Sequence, residues 1–282
     1  MHVLINDNII TEEKAYIHTK DRGFLLGDGI FETLKVQDGH IEFFEAHYKR
    51  LQNSSTALFI PFQYELSTLK KMCLTLIKEN GLETGSASMR ITLTRGIGLR
   101  GINFPENQIP TLLVTVTPFH SPAFNQYPRA FITSIKRNQH SPIIKLKTLN
   151  YLEPILARNE ALLNGFDEGI MLNTDGFITE CSVANIFFIK NNTVMTPSIE
   201  SGILPGIIRS YVIDICRKNN IPIFEKEISI ADALNADEAF QTNSLIGIQP
   251  LSQINNKKLL TDNFCISKEI IRSYKNYLPE LL

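Results

Sequence analysis

The residues with the most chemical promise lie in Lys145-Leu146-Lys147-Thr148-Leu149-Asn150-Tyr151-Leu152, a run that leads directly into a helical pattern. Lys145 and Lys147, at i and i+2, share one face of an extended segment. An amine walled by Leu146, Leu149 and Leu152 is partly stripped of water, the condition a nucleophilic, Schiff-base-forming lysine needs. The bland reading is a pair of solvated lysines at a strand end. Further on, Glu180 interrupts the otherwise small and apolar run Phe177-Ile178-Thr179-Glu180-Cys181-Ser182-Val183-Ala184-Asn185-Ile186-Phe187-Phe188. A half-buried carboxylate must be paired or hydrogen-bonded, and a protonated heterocyclic nitrogen is a suitable partner. Gly202-Ile203-Leu204-Pro205-Gly206-Ile207-Ile208-Arg209 places a Pro-Gly turn at a helix start, where open backbone N–H groups bind phosphate.

Other motifs carry less. Gly96-Ile97-Gly98-Leu99-Arg100-Gly101 satisfies G-x-G-x-x-G after a strand, yet Pro105 follows too soon for the helix that a dinucleotide fingerprint must open. A nucleotide-binding module is therefore the rival reading. The better one is a flexible loop whose Arg95 and Arg100 suit a substrate carboxylate, against a background of solvated loop arginines. Gly27-Asp28-Gly29 reads as a tight turn, and His47 with Arg50 as one face of a helix, by itself a surface salt-bridge site. The six histidines form no metal-ligand pair and no G-x-S-x-G elbow occurs, so no metal and no serine-esterase chemistry are expected.

The 282 residues suggest one large domain or two small ones, and 43% apolar with 20% charged residues exclude extensive disorder. Lys plus Arg is 28 against 29 for Asp plus Glu, a net charge of −1 with no bias towards nucleic acid or an acidic membrane. The expected partner is a small molecule. Four scattered cysteines without a C-x-x-C pair, no signal-peptide pattern and no apolar run of membrane length fit a reducing cytoplasm.

The elements that must position these residues alternate between β and α. A hairpin is predicted over Phe31–Val36 and His40–Phe44 around Gln37-Asp38-Gly39, then helices over Glu45–Leu58 and Tyr64–Glu79. Strands are expected at Ala87–Thr94, Thr111–Thr117 and Ala130–Ile135, and helices at Tyr151–Leu163, Gly206–Asn219 and Asn263–Tyr277. Pro118, Pro122 and Pro128 mark 118–128 as an interdomain linker between a smaller N-terminal domain, 1–117, and a larger C-terminal one, 129–282, which carries the reactive lysine.

Taken in order, these motifs resemble the fold-type IV, D-amino-acid-aminotransferase-like family of pyridoxal phosphate enzymes, over essentially the whole chain. Gly27-Asp28-Gly29-Ile30-Phe31-Glu32 is similar to the family's G-D-G-x-F-E, and His47-Tyr48-Lys49-Arg50-Leu51 to its H-x-x-R-L, whose arginine holds the cofactor phosphate. Lys147-Thr148-Leu149-Asn150 is similar to the Schiff-base lysine segment, which selects Lys147 over Lys145. Thr179-Glu180 with Ala184-Asn185-Ile186-Phe187 resembles the segment that pairs with the pyridine nitrogen. The resemblance implies an α/β, two-lobed fold, a homodimer and a pyridoxal 5'-phosphate cofactor. It further implies cofactor contacts from Arg50, Lys147, Tyr151, Glu180, Ile207, Ile208, Asn243 and Ser244, and substrate contacts from Phe31, Arg95 and Arg100.

Within the family, Phe31-Glu32-Thr33-Leu34, Arg95-Gly96-Ile97-Gly98-Leu99-Arg100-Gly101 and Lys147-Thr148-Leu149-Asn150-Tyr151-Leu152-Glu153 are similar to runs of the 4-amino-4-deoxychorismate lyases. Phe104-Pro105-Glu106-Asn107 is similar to D-amino-acid aminotransferases, and Tyr151 after Asn150 to the branched-chain enzymes. The expectation is a lyase acting on a small substrate with amino and carboxylate groups. The alternative is an aminotransferase for D- or branched-chain amino acids with 2-oxoglutarate.

Overall fold

The computed structural model describes residues 1–120, 127–261 and 265–277. Their contacts divide into two units, 1–120 with 146–150, and 127–145 with the described residues from 151 onward. The first unit holds β1 (His2–Ile5), β2 (Asn8–Thr11), α1 (Arg22–Leu26), β3 (Gly29–Gln37), β4 (His40–Ile41), α2 (Phe44–Ala57), α3 (Leu66–Glu79), β5 (Ser86–Thr94) and β6 (Thr111–Pro118). The second holds β7 (Arg129–Arg137), α4 (Leu152–Leu163), β8 (Glu168–Asn173), β9 (Ile178–Cys181), β10 (Asn185–Lys190) and β11 (Thr193–Pro197). It continues with α5 (Ile207–Lys218), β12 (Ile223–Lys226), α6 (Ile230–Leu234), β13 (Glu238–Asn243), β14 (Gly247–Pro250), β15 (Gln253–Ile254), β16 (Lys257–Lys258) and α7 (Ile266–Tyr277).

In the first unit an antiparallel sheet of order β2-β1-β6-β5-β3-β4 packs one face against α2 and α3. Strand alternation decides which side chains go there: Leu34 and Val36 of β3, Met89 and Ile91 of β5, and Leu112, Val114 and Val116 of β6 are buried against Leu51, Leu69, Cys73 and Leu76 of the helices. The Asp-Gly turn between β3 and β4 adopts positive φ at both residues, 49° and 79°, as a two-residue hairpin turn demands. The β1–β2 hairpin and α1 have no counterpart in the sequence reading.

The segment 147–149 lies beside β3: Phe31 N donates to Lys147 O and Leu149 N to Gly29 O, both at 2.9 Å. That strand-like pairing places Lys147 with the first unit, not within 129–282 as the sequence suggested. The expected linker, 118–128, includes 121–126, which lie outside the described residues, as do the first residues of the helix expected at Asn263.

The second unit carries two five-stranded sheets, β12-β11-β10-β13-β14 and β16-β15-β7-β8-β9. Its core joins Ile170, Ile178, Ile186, Phe188, Ala239 and Leu251. Between β9 of one sheet and β10 of the other lie only residues 182–184, closed by Cys181 N donating to Ala184 O at 2.8 Å. Glu180 and Asn185 therefore flank one short turn.

Candidate active site

In the first unit β3 presents different chemistry to its two sides. Glu32 is on the helix side, 1% exposed, and accepts from Arg50 Nε at 2.8 Å and Nη2 at 2.6 Å. Its Oε2 also lies 2.7 Å from His47 Nδ1. His47 and Arg50 stand three apart on α2, so both reach the same carboxylate. Burial alone would raise Glu32, but Arg50 and then His47 outweigh it and hold the carboxyl at about 2. Burial lowers His47 below the usual histidine value, opposed by Glu32 and reinforced by the charges of Arg50 and Lys147. This is a buried triad, not the surface salt bridge that the helix alone suggested.

On the other side of β3, the Arg90 guanidinium lies 3.6 Å from the Phe31 ring centroid, and Lys147 Nζ lies 4.4 Å from the same centroid. Both are cation–π distances. Arg90 reaches the ring because β5 pairs antiparallel with β3, with Thr33 opposite Arg90. Lys147 reaches it through the pairing of 147–149 with β3. Lys145, by contrast, is exposed and lies 3.8 Å from Glu200, so the two lysines do not act as a pair.

Two sequence expectations fail here for a physical reason. Arg95 is 2% exposed and all five of its N–H groups are committed. Nε and Nη2 bind Asp28 at 2.8 and 2.9 Å, Nη1 binds Phe59 O and Gln108 Oε1, and Nη2 binds Leu58 O. Nothing on Arg95 remains to hold a substrate carboxylate. Asp28 also accepts from Arg22 Nε at 2.7 Å. Burial alone would raise Asp28, but Arg95 and Arg22 hold its carboxyl below the usual range.

The 96–103 loop is anchored as well. Arg22 donates to the carbonyls of Gly101, Ile102 and Asn103, and its own N–H binds Gly96 O. A Cβ on Gly96 would lie 1.8 Å from Ile109 O at φ +83°, so only glycine fits. The next element is β6, not a helix, which removes the nucleotide reading. Arg100 is exposed on this loop, and no hydrogen bond or ion pair to it is found among the described residues.

In the second unit Glu180 of β9 is buried. Oε1 pairs with Arg137 Nη1, and Oε2 accepts from Asn185 Nδ2 at 2.9 Å and Leu204 N at 3.1 Å. Arg137, at the end of β7, lies far from Glu180 in sequence, so no spacing announces it. Arg90 and Asn185 were not picked out as candidate residues, for different reasons. The one visible signal for Arg90 is a charge inside a strand alternation; Asn185 figured only as part of a motif. Burial pushes the neighbouring Cys181 thiol well above its ordinary value, which disqualifies it as a nucleophile.

Gly206 caps α5, and Ser210 N makes the first helical hydrogen bond to Gly206 O. The N–H groups of Ile207 and Ile208 find no acceptor among the described residues, leaving the open helix N-terminus that binds anions. Asn243 is a turn cap rather than an open donor. Its Oδ1 accepts from Leu245 N and Ile246 N, and its Nδ2 binds Val183 O. Ser244 lies within that turn, and Tyr151 is the half-buried N-cap of α4.

The sequence model of the family described as amino-transferase class IV matches residues 29–254. The chain belongs to this family. Three similarities show how its members diverge. The aminodeoxychorismate lyase of Bacillus subtilis is 29% identical over 89% of this chain and 86% of its own. The D-alanine aminotransferase of Listeria innocua is 29% identical over 90% and 88%. The structure of a branched-chain aminotransferase from Thermoproteus uzoniensis aligns with a TM-score of 0.91 at 27% identity, covering 99% of this chain and 94% of that one. This class IV protein is an enzyme, and the cofactor of its family is pyridoxal 5'-phosphate.

The residues fit that cofactor. In the second unit a carboxylate paired with an arginine suits a pyridinium nitrogen and the open amides of α5 suit a phosphate; in the first, Lys147 offers an amine. Two buried polar atoms with no hydrogen-bond partner among the described residues, Arg137 Nε and Thr242 Oγ1, belong to residues that adjoin Glu180 and Asn185, the latter the register partner of Thr242.

Proposed function

We propose that the enzyme is a 4-amino-4-deoxychorismate lyase of folate biosynthesis, forming 4-aminobenzoate and pyruvate. The observation that carries this reading is the Phe31 ring with Arg90 and Lys147 both over it. An amino acid carries its carboxylate on the reacting carbon itself. Aminodeoxychorismate carries its carboxylates elsewhere, one on a cyclohexadiene ring and one on the enolpyruvyl group beside it. A guanidinium that shares one aromatic ring with the amine, each as its own contact, suits the second geometry. In this proposal Arg90 takes the carboxylate-holding role that Arg95 is too saturated to fill, and Arg100 remains a further candidate.

Pyridoxal phosphate, when bound, withdraws electrons from the carbon that bears the substrate's amino group. The proposed roles of the chain's own residues follow. Lys147 Nζ takes the proton from that carbon and returns one when product leaves. Glu180, held by Arg137, Asn185 and Leu204 N, keeps the ring nitrogen protonated. The N–H groups of Ile207 and Ile208, with Ser244, hold the phosphate, and Arg50 contributes a cation to it. Tyr151 is assigned to the cofactor on resemblance.

Two assays test this. Borohydride reduction of the holoenzyme followed by peptide mapping should label Lys147; label on Lys145 would sink that role. Aminodeoxychorismate should yield 4-aminobenzoate and pyruvate, whereas D-alanine or leucine with 2-oxoglutarate should react slowly or not at all. Equal likeness to D-alanine and branched-chain aminotransferases supports the second reading, and fast amino transfer without aminobenzoate would establish it. A cytoplasmic homodimer completes the proposal. Strongly exposed Phe24, Leu99, Ile102 and Ile109 in the first unit support self-association, and sedimentation equilibrium reports it. No described helix is long and apolar enough to cross a membrane.

A further inference from the structure

The carboxylate and the helix N-terminus assigned to the two ends of the cofactor are not independent parts of the second unit. Asn185, buried at the start of β10, commits both hydrogens of its amide: one to Glu180 Oε2 at 2.9 Å, the other to Leu204 O at 2.9 Å. A carboxylate and a carbonyl are both acceptors, so the amide nitrogen, not the oxygen, must face them. Leu204 N returns to the same Glu180 oxygen at 3.1 Å, closing a ring of hydrogen bonds.

Leu204 leads through Pro205 to Gly206, the N-cap of α5. A Cβ on Gly206 would lie 1.9 Å from Asn185 Oδ1, although its φ of −71° is open to any residue. Glycine stands there because the amide lies against the cap. The other end of the amide is rooted in a sheet, since Asn185 pairs with Thr242 across β10 and β13.

We propose that Asn185 is a positioning residue that locks Glu180 to the N-terminus of α5, so that ring nitrogen and phosphate are gripped at one fixed spacing. Two contacts on one ligand reinforce each other only when the spacing between them is set beforehand. Asn185 sets it through its two bonds, to Glu180 and to Leu204. The inference rests on the assignment of Glu180 and the α5 amides to pyridoxal phosphate.

The experiment titrates the full chain, freed of cofactor, with pyridoxal phosphate and with pyridoxal, which lacks the phosphate, using calorimetry. Wild type should prefer the phosphorylated ligand strongly. Asn185→Ala should weaken pyridoxal phosphate binding about tenfold, the scale of a lost hydrogen bond to a charged group, yet weaken pyridoxal far less, narrowing the preference. Asn185→Ser, which is polar but too short to span both acceptors, should behave alike if the alanine variant folds poorly. In a Glu180→Gln background, Asn185→Ala should add less than about twofold. Equal weakening of both ligands, or full additivity with Glu180→Gln, overturns the positioning role while leaving the cofactor assignment intact. A Glu180→Gln variant that binds pyridoxal phosphate like wild type overturns the assignment itself, and the inference with it.

Discussion

Arg90 and Arg95 belong to the same stretch of chain, one within β5 and the other just past its end, yet they occupy opposite chemical situations. Arg95 is buried, with every N–H spent on Asp28 and on carbonyl and amide oxygens of the first unit. Arg90 is exposed and lies against the Phe31 ring that Lys147 also approaches. The difference teaches that a guanidinium becomes part of a scaffold once its donors are saturated. Only one that stays exposed to solvent can be reached by a substrate.

The contrast breaks most visibly on Arg95. Arg95→Ala leaves Asp28 without its bidentate partner and strips five hydrogen bonds, so urea denaturation should show a loss of about 3–5 kcal/mol. A variant as stable as wild type would mean that the clamp is dispensable. Acid comes next, because Glu32 with Arg50 is a second close ion pair, built on a buried carboxylate. Its folded pKa is depressed from 4.5 to about 2, so the stability it confers is complete above about 4.5 and disappears as pH falls towards 2. A shift of that size corresponds to roughly 3 kcal/mol, and Glu32→Gln should flatten the acid limb of a stability-against-pH curve. His47, lowered by burial, acts in the same sense: its contribution is lost as pH falls below the ordinary histidine range.

Arg90→Ala should do the reverse of Arg95→Ala. Stability should stay within about 0.5 kcal/mol of wild type, while kcat/KM falls roughly tenfold to a hundredfold, the scale of a lost charge-assisted contact. Unchanged kinetics would leave Arg90 as a surface cation and remove the observation on which the lyase reading rests. The smallest structural effect belongs to Arg100, which has no described partner. Arg100→Ala should leave the melting temperature unchanged, and any kinetic defect would mark it as a second carboxylate-binding cation.

Much of the fold was legible in the residues themselves. Strand alternation around Phe31–Val36, the Asp-Gly turn and the i, i+3, i+4 pattern of Leu69, Met72, Cys73 and Leu76 encode local structure directly. Glu180 could be singled out because one charge stood in an apolar run. What local pattern cannot carry is saturation. Whether Arg95 is free depends on Leu58, Phe59 and Gln108, which only the folded chain brings around it. Arg137 escaped notice for the same reason, being remote from Glu180 in sequence, whereas Asn185 stood inside a motif with nothing local to mark its bonds.

The detour of residues 147–149 to the side of β3 has a consequence for fragments of this enzyme. β4 covers that strand only at Val36 and Gln37, and 147–149 supplies the hydrogen bonds to Gly29 and Phe31 at its other end. A truncated chain that stops before Leu146 would keep most of the first unit's sequence and still bare an unpaired sheet border. Such a border recruits any extended peptide within reach. Ribosome-stalled or proteolysed N-terminal pieces should therefore aggregate, while the intact chain covers the vulnerable strand with the very segment that carries Lys147.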